Sequence, residues 1–477
     1  MNGIIHNCAQ QIYQYGKYQP KCPQIILKKP VCARVVKDSV TAEAPTIHKV
    51  LVDDEKEQRL FALIKKNVNE LIKMSNPQKS VFLAIDGVAP QGKQNQQRQR
   101  RFRAAKENTS QINNFDSNCI TAGTDFMRRL ATNLERLDWV CKKEIDITFS
   151  SDSSPGEGEH KLIDWIRSYD VADTKNEVYT VVGMDADLIL LCMCLRKQNV
   201  FILRENEKGS FDWIDIEAAR SILRALDVTP EDLVVWACFI GNDFLPPIPS
   251  LEIKESDPEK GALDFFFDIF QKYFPKYFES LSSCALLVNK KNGHINFRAL
   301  KFIFQKISER ELDIMKARHS DRERFINEMW KGNIEDYRIA YHENKLKKSD
   351  KATIVISYLK SAQWVYEYYS KGIPSWDWYY PYNYTLHAND FAEYCPLNVL
   401  KFSFRMSEPS HPHEQLLRVI PPLNKHLIPS YLYEEFEKIS KKSNTFKIDK
   451  AGKREEWEAV TIVDFVELDS KIIYKKI

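Results

Sequence analysis

The chain has 477 residues, 43% of them hydrophobic and 12% aromatic, with ten cysteines and a formal net charge of +3. That length suffices to bury a core in one large domain or two, and the hydrophobic content is that of a soluble globular protein. No uncharged apolar run is long enough for a transmembrane helix, the start does not read as a signal peptide, and the cysteines lack a metal-ligand spacing, so they read as reduced thiols in an intracellular protein.

In chain order, the stretch from Tyr18 to Lys49, with Pro20, Pro23, Pro30 and Pro45 scattered through it, reads as a loop or inserted excursion. Apolar, β-rich runs at Val81–Ile85, Asp146–Ser150, Val178–Gly183 and Asn199–Leu203 predict strands, and Gln96–Lys106, Thr124–Lys143 and Glu159–Tyr169 carry helical patterns. This alternation predicts an α/β fold: a twisted, mostly parallel sheet flanked by helices, in which ligands bind beyond the carboxyl ends of the strands. An apolar helix at Leu233–Ile240 follows. The charged stretch Lys254–Lys260, with Pro258, marks a seam between residues 1–254 and a mainly helical segment, 255–477. That segment holds helices at Leu263–Phe274, Phe297–Arg310 and Ala352–Ser370 and a turn at Asn292-Gly293, while Arg318–Lys351, dense in both signs of charge, reads as an exposed helix or connector. An aromatic loop from Pro374 to Tyr382 and a strand pattern around Trp457–Leu468 complete it.

Four short acidic stretches carry the chemistry. They are Ile85-Asp86-Gly87, the run from Pro155 to Lys161 with Glu157 and Glu159, Met184-Asp185-Ala186-Asp187, and Gly241-Asn242-Asp243. Singly, each reads as a solvated loop, a helix cap or a helix stop. Together they offer six carboxylates, and hard divalent cations such as Mg²⁺ require convergent oxygen ligands, two ions about 4 Å apart needing several. Asp86 and Asp185 fall where the first and third predicted strands end, so the sheet and the metal site support each other.

Between Lys93 and Lys106 the chain carries six basic residues and no acidic one. On a helix, Lys93, Gln97, Arg100 and Arg101 share one face, a receptor for a terminal phosphate close after a candidate metal ligand. A solvated basic helix is the plainer alternative. In the aromatic loop, Trp376 and Trp378 are placed to stack on unpaired bases, whereas Tyr379, Tyr380 and Tyr382 read as packing residues.

Taken together these stretches resemble the XRN-type 5′→3′ exoribonucleases. The resemblance rests on Met1–Cys8, Ala84–Glu107, Ile120–Met127, Ser151–Lys161, Gly183–Leu191 and Phe239–Ile253, then on Gln363–Tyr384, Glu414–Pro422 and the tail around Trp457. It implies a sheet like that of the flap nucleases, hydrolysis of 5′-monophosphorylated single-stranded RNA one nucleotide at a time, and two Mg²⁺ or Mn²⁺ ions. It further implies that Asp86, Glu157, Glu159, Asp185, Asp187 and Asp243 bind the metals and that Lys93, Gln97, Arg100 and Arg101 grip the 5′-phosphate. His6, with Trp376 or Trp378 opposite, would stack on the first base. The family's core has a strand ending in an aspartate just ahead of the stretch matched by Met1–Cys8. Its lack here leads us to expect a fragment or a misplaced start codon, with an RNA-binding, catalytically impaired protein as an alternative. A structure-specific flap endonuclease is the other alternative. Asn383-Tyr384-Thr385-Leu386 also departs from the family's His-Tyr-Ala-Pro, and the compact length fits a virus or a reduced eukaryote.

Overall fold

The computed structural model describes residues 1–18, 54–107, 115–136, 139, 144–169, 176–206, 208–251, 261–273, 287–289, 292–320, 329–396, 401–442, 446–449 and 459–468. The proline-bearing excursion and the Lys254–Lys260 seam lie almost wholly outside these residues, as does Trp457 of the terminal strand pattern.

Strand β1 (Ser80–Ala84) pairs in parallel with β2 (Asp146–Ser150), with Ser80 opposite Asp146 and Ala84 opposite Ser150. Strand β3 (Tyr179–Val182) pairs in parallel with β4 (Val200–Glu205). The predicted parallel pairing is present, but not as one sheet: β1 and β3 are not hydrogen bonded to each other, and the strands fall into separate two- and three-stranded sheets. Residues of both β1 and β3 instead line one cavity of about 1220 Å³.

A fifth strand, β5 (Phe211–Asp215), turns back antiparallel on β4. The reversal is set by Asn206, whose side-chain oxygen accepts from the Lys208 and Ser210 amides, with Gly209 at positive φ. Asx turns of this kind let a strand reverse within a few residues.

Helix α1 (Asn2–Tyr13) packs on α2 (Asp54–Ser75). Leu60, Ile64, Val68 and Ile72 of α2 recur at helical spacing and are buried with Ile5, Cys8 and Ala9 of α1. Helix α3 (Gln91–Glu107) follows β1, and α4 (Asp125–Glu135) precedes β2. Thr124 caps α4 by accepting from the Met127 amide. The predicted helix Thr124–Lys143 is broken at Arg136, which leaves helical dihedrals (φ −88°, ψ 2°), and most of its remainder lies outside the described residues.

Helix α5 (Gly158–Ser168) leads to β3, α6 (Asp187–Met193) follows it, and α7 (Ile216–Ala225) and α8 (Pro230–Ile240) follow β5. A full capping box between Thr229 and Asp232 starts α8, with Pro230 in its first turn. The second segment is helical, as expected: α9 (Ala262–Asp268), α10 (Phe297–Ser320), α11 (Ile334–Leu346), α12 (Lys351–Ser370), α13 (Ala388–Tyr394), α14 (Pro412–Val419) and α15 (Tyr433–Lys442). A small antiparallel pair, β6 (Lys447–Asp449) and β7 (Val460–Ile462), accompanies it.

The largest buried cluster runs from Ile163 to Cys395 and includes Trp236, Phe239, Tyr358 and Trp364, so the strands' second half and the helices share a core. Inside it Glu311, fully buried, pairs with Arg338 and accepts from Ser250 Oγ and the Ala388 amide. A buried charge with that many partners avoids the penalty of an unpaired one. No described helix is long and apolar enough to cross a membrane. Cys8, Cys119, Cys192, Cys238 and Cys395 are free and buried.

Candidate metal and phosphate site

The acidic stretches converge because of how the backbone crosses between strands. The segment after β1 is zipped to the segment before α5: the Gly87 amide donates to Gly156 O (2.9 Å) and the Gly156 amide to Val88 O (2.7 Å). A side chain at Gly87 would place its Cβ 1.9 Å from the Ser154 carbonyl oxygen, so only glycine allows this approach. Asp86 then accepts from the Gly158 amide at 2.7 Å, at the first turn of α5. A Cβ at Gly158 would lie 3.1 Å from that same Asp86 oxygen and 3.2 Å from Ala84 O. Lys161, one turn on, donates to Ile85 O and Ser151 O and ties both strand ends down. Helix α1 contributes Asn2, whose side-chain oxygen accepts from the Asp86 amide.

Glu159 from α5, Asp185 after β3 and Asp187 at the start of α6 each bring one carboxylate oxygen within 4.8 Å of the others. Burial pushes the Glu159 carboxyl up to about 9, with repulsion from Asp187, Asp185 and Glu157 adding to it. Burial likewise raises Asp187 to about 6, and Asp86 is raised by burial and by Glu157. Such a donor set is entirely oxygen and lacks enough positive charge, which is what a hard divalent cation supplies. The residues fit a metal.

Of the six predicted carboxylates, three thus form one tight group. Glu157 and Asp243 form a second with Lys93 between them, its ammonium 2.7 Å from Glu157 Oε2 and 2.6 Å from Asp243 Oδ2. Burial works against the Lys93 charge, but these two carboxylates outweigh it and hold the proton well above the usual lysine range. Lys93, expected on the phosphate, is therefore turned to the acids in this structure. All six carboxylates, with Lys93, Gln96 and Arg100, line that same cavity.

The basic wall is α3, and two faces of that helix do different work. Gln94 and Arg98 are buried against the last third of the chain: Arg98 donates to Arg418 O and Asp464 O, and Gln94 to Ala89 O and Ser410 Oγ. Arg100 is exposed and lines the cavity, while Gln97 is buried. Arg101 is enclosed enough that burial, with Arg100 beside it, lowers its guanidinium to about 9, and its Nη1 is buried without a hydrogen-bond partner. His6 of α1 sits against the same two arginines; burial first, then Arg100 and Arg101, keep its imidazole neutral, down to about 4. Two arginines, one with a buried unpaired N–H, beside a neutral histidine form a wall that an anion would satisfy.

The two tryptophans separate. The Trp378 ring is packed, its indole N–H donating to Ser361 Oγ (3.1 Å), Lys360 lying 4.1 Å over its face and Phe404 against its edge. Trp376 is held by its backbone instead: its carbonyl accepts from the Gln91 amide at the start of α3 (2.8 Å), and its amide donates to Ser407 Oγ. Tyr379 and Tyr380 pack as expected, against Phe465 and Tyr358.

Several residues at the site were not read from the sequence. Gln96 and Asn2 are polar residues without a motif of their own. Tyr368 and Tyr369 lie in an aromatic stretch that reads as core, yet Tyr368 Oη donates to Glu157 Oε1 at 2.6 Å and Tyr369 Oη lies 3.4 Å from Asp187 Oδ2. Only the 3.6-residue repeat of α12 hints at them, since it places the pair on the side that carries Trp364 and Val365.

An acidic cluster that could hold a cation, at the strand ends of an α/β half and beside a basic helix, defines the class: an α/β protein with a candidate metal site. Residues 32–206 match the family model described as the XRN 5'-3' exonuclease N-terminus, and residues 224–336 and 329–473 match that of the Xrn1 helical domain. The chain belongs to the XRN exonuclease family. It is 27% identical to human 5'-3' exoribonuclease 1 over 88% of this chain and 30% of that protein. It is 25% identical to the Drosophila melanogaster 5'-3' exoribonuclease 2 homolog, covering 88% of this chain and 62% of that protein. To Schizosaccharomyces pombe 5'-3' exoribonuclease 1 it is 25% identical over 98% of this chain and 45% of that protein. The chain thus spans between about a third and three fifths of these relatives' length.

Proposed function

We propose that the chain is a 5′→3′ exoribonuclease that hydrolyses single-stranded, 5′-monophosphorylated RNA one nucleotide at a time, with two Mg²⁺ or Mn²⁺ ions. The observation that carries this reading is the placement of six carboxylates in one cavity with Lys93, Gln96 and Arg100 of α3. Family membership and the relatives' names support the direction and the substrate class. We read the nuclease half (1–254) as a flap-nuclease-like sheet completed by the helical half (255–477), acting in the reducing interior of a cell, which the buried free thiols support.

Glu159, Asp185 and Asp187 are the residues to hold a cation together, with Asp86, Glu157 and Asp243 beside them. Bound there, divalent cations would supply Lewis-acid polarisation of the phosphoryl oxygen and a nucleophile at neutral pH. The chain's own groups do the rest. Arg100 and Arg101, with Gln97 and Lys93 nearby, grip the terminal phosphate by charge-assisted hydrogen bonds and set the register of the scissile bond. His6, held neutral, offers an uncharged face to the first base. Trp376, pinned to the start of α3, is our choice for its partner, because the ring of Trp378 is engaged with Lys360, Ser361 and Phe404. A pocket closed around a monophosphate excludes capped ends by size.

The test compares 5′-monophosphate and 5′-hydroxyl RNA with wild-type protein, Asp185→Ala and Glu157→Ala. Rapid loss of the monophosphorylated RNA by the wild type alone is expected. Equal rates on both ends would point to a structure-specific endonuclease, and undiminished activity in either mutant would overturn the metal assignment.

A further inference from the structure

The acidic residues all come from the first half of the chain, yet two of them are held by a helix of the second. Tyr368 and Tyr369, adjacent near the end of α12, are 1% and 3% exposed. Tyr368 Oη donates to Glu157 Oε1 at 2.6 Å, across 211 positions of sequence. Tyr369 Oη lies 3.4 Å from Asp187 Oδ2, across 182 positions. A hydroxyl deep in a core usually bonds the nearest carbonyl, as Tyr358 of the same helix does with Cys238 O and Pro246 O. Two neighbouring hydroxyls reaching carboxylates from two separate acidic stretches depart from that habit.

The Tyr368 ring has little freedom. It stacks on His160 (centroids 3.6 Å apart, planes 22°) and on Trp364 (4.8 Å, 23°), and Phe244, next to Asp243, meets it edge-on at 5.4 Å. The hydroxyl is therefore delivered to one place, and Glu157 with it. Its other oxygen is met by Lys93, so both ends of that carboxylate are fixed by different elements. A neutral phenol donor suits the task, since it orients a carboxylate without cancelling the charge a cation needs; outer-shell donors of this kind fix ligand geometry at metal sites.

We propose that Tyr368 and Tyr369 are positioning residues for the metal-binding carboxylates, so that α12 of the helical half completes the metal site. The inference rests on the reading of Glu157 and Asp187 as metal ligands. Tyr368→Phe keeps the ring and its stacking and removes only the hydroxyl. The probe is Mn²⁺ alone, titrated into the purified full chain and followed by the electron paramagnetic resonance of the free ion. The expected result for Tyr368→Phe is Mn²⁺ affinity weakened about tenfold to a hundredfold, with kcat for RNA reduced and KM unchanged. Tyr369→Phe shifts in the same direction by less, its contact being longer. Tyr358→Phe, which removes a buried hydroxyl from the same helix away from the acids, lowers the melting temperature and leaves Mn²⁺ binding intact. Wild-type Mn²⁺ affinity in Tyr368→Phe overturns the proposal, and so does an equal loss in Tyr358→Phe. Should Tyr368→Phe fail to fold, Tyr369→Phe decides on the same criterion. Asp185→Ala run alongside separates the two readings: if it too binds Mn²⁺ normally, the metal site itself is misassigned, whereas loss there with normal binding in Tyr368→Phe sinks the tyrosine role alone.

Discussion

Replacing Glu159 by Gln should stabilise the metal-free protein while destroying its activity. In the folded chain burial and the Asp187, Asp185 and Glu157 charges move this carboxyl from an ordinary value of 4.5 to about 9. A raised carboxyl pKa means that the native state binds a proton the unfolded state has released. Stability from this group is therefore whole below about pH 4.5 and is lost progressively as pH rises towards 9. At pH 7 the interval from 4.5 corresponds to about 3 kcal/mol, at roughly 1.36 kcal/mol per unit, and solvent reaching the cavity reduces it towards ~2 kcal/mol. Glutamine is close to the neutral carboxyl in shape and carries no charge to repel its neighbours. Thermal or denaturant melts in chelator at pH 5, 7 and 9 would check this: the wild type should weaken from pH 5 to 9, and Glu159→Gln should follow a flatter curve. A variant that is less stable than wild type at pH 9, or that runs parallel to it, would refute the reasoning that these acids repel one another in the fold.

Metal uptake should release protons near pH 7, because Glu159 must ionise to bind a cation; calorimetry in buffers of different ionisation enthalpy would show it, and a heat independent of buffer would contradict it. Arg101→Ala should slow cleavage of 5′-monophosphorylated RNA by roughly one to two orders of magnitude, from the loss of about 1.5–3 kcal/mol of charge-assisted bonding. The loss should be smaller on 5′-hydroxyl RNA; equal losses on both ends would make Arg101 a general contact. Trp376→Ala should weaken single-strand binding by about 1–3 kcal/mol at little expense of stability, whereas Trp378→Ala, which strips a packed ring from Lys360 and Phe404, should lower the melting temperature more than it lowers RNA affinity in a filter-binding assay.

What the sequence shows most clearly is local. The runs VFLAI and VYTVVGM mark β1 and β3 because β-branched and apolar residues bounded by glycine and charge have few other conformations open to them. Asp86 and Asp185 follow from where those strands stop. Helix α2 is absent from the sequence reading although Leu60, Ile64, Val68 and Ile72 repeat at helical spacing, because its abundant charge hides the stripe from a reading that seeks apolar runs. Strand β5 needed the Asn206 turn to be recognised first.

The unread part is tertiary. Whether an ammonium on α3 faces a phosphate or Glu157 and Asp243 depends on distances that no spacing along the helix encodes. The choice between Trp376 and Trp378 turns on Lys360 and Phe404, which lie 18 and 26 positions from Trp378 in the chain and pack on its ring. The break between β1 and β3 is invisible too, because each strand's pattern records only how buried it is and not which neighbour it bonds.

The back of α3 has a consequence of its own. Arg98 and Gln94 fasten the basic wall to Ser410, to the carbonyls of Arg418 and Asp464, and Gln415 holds the Ala89 amide just past Asp86. The proposed phosphate face is thus held from behind by residues more than three hundred positions away. Shortening the chain from its far end would not trim an accessory; it would unmoor one wall of the cavity while leaving the six carboxylates in place, and on the proposed reading such a protein would still collect cations but lose its grip on the RNA end.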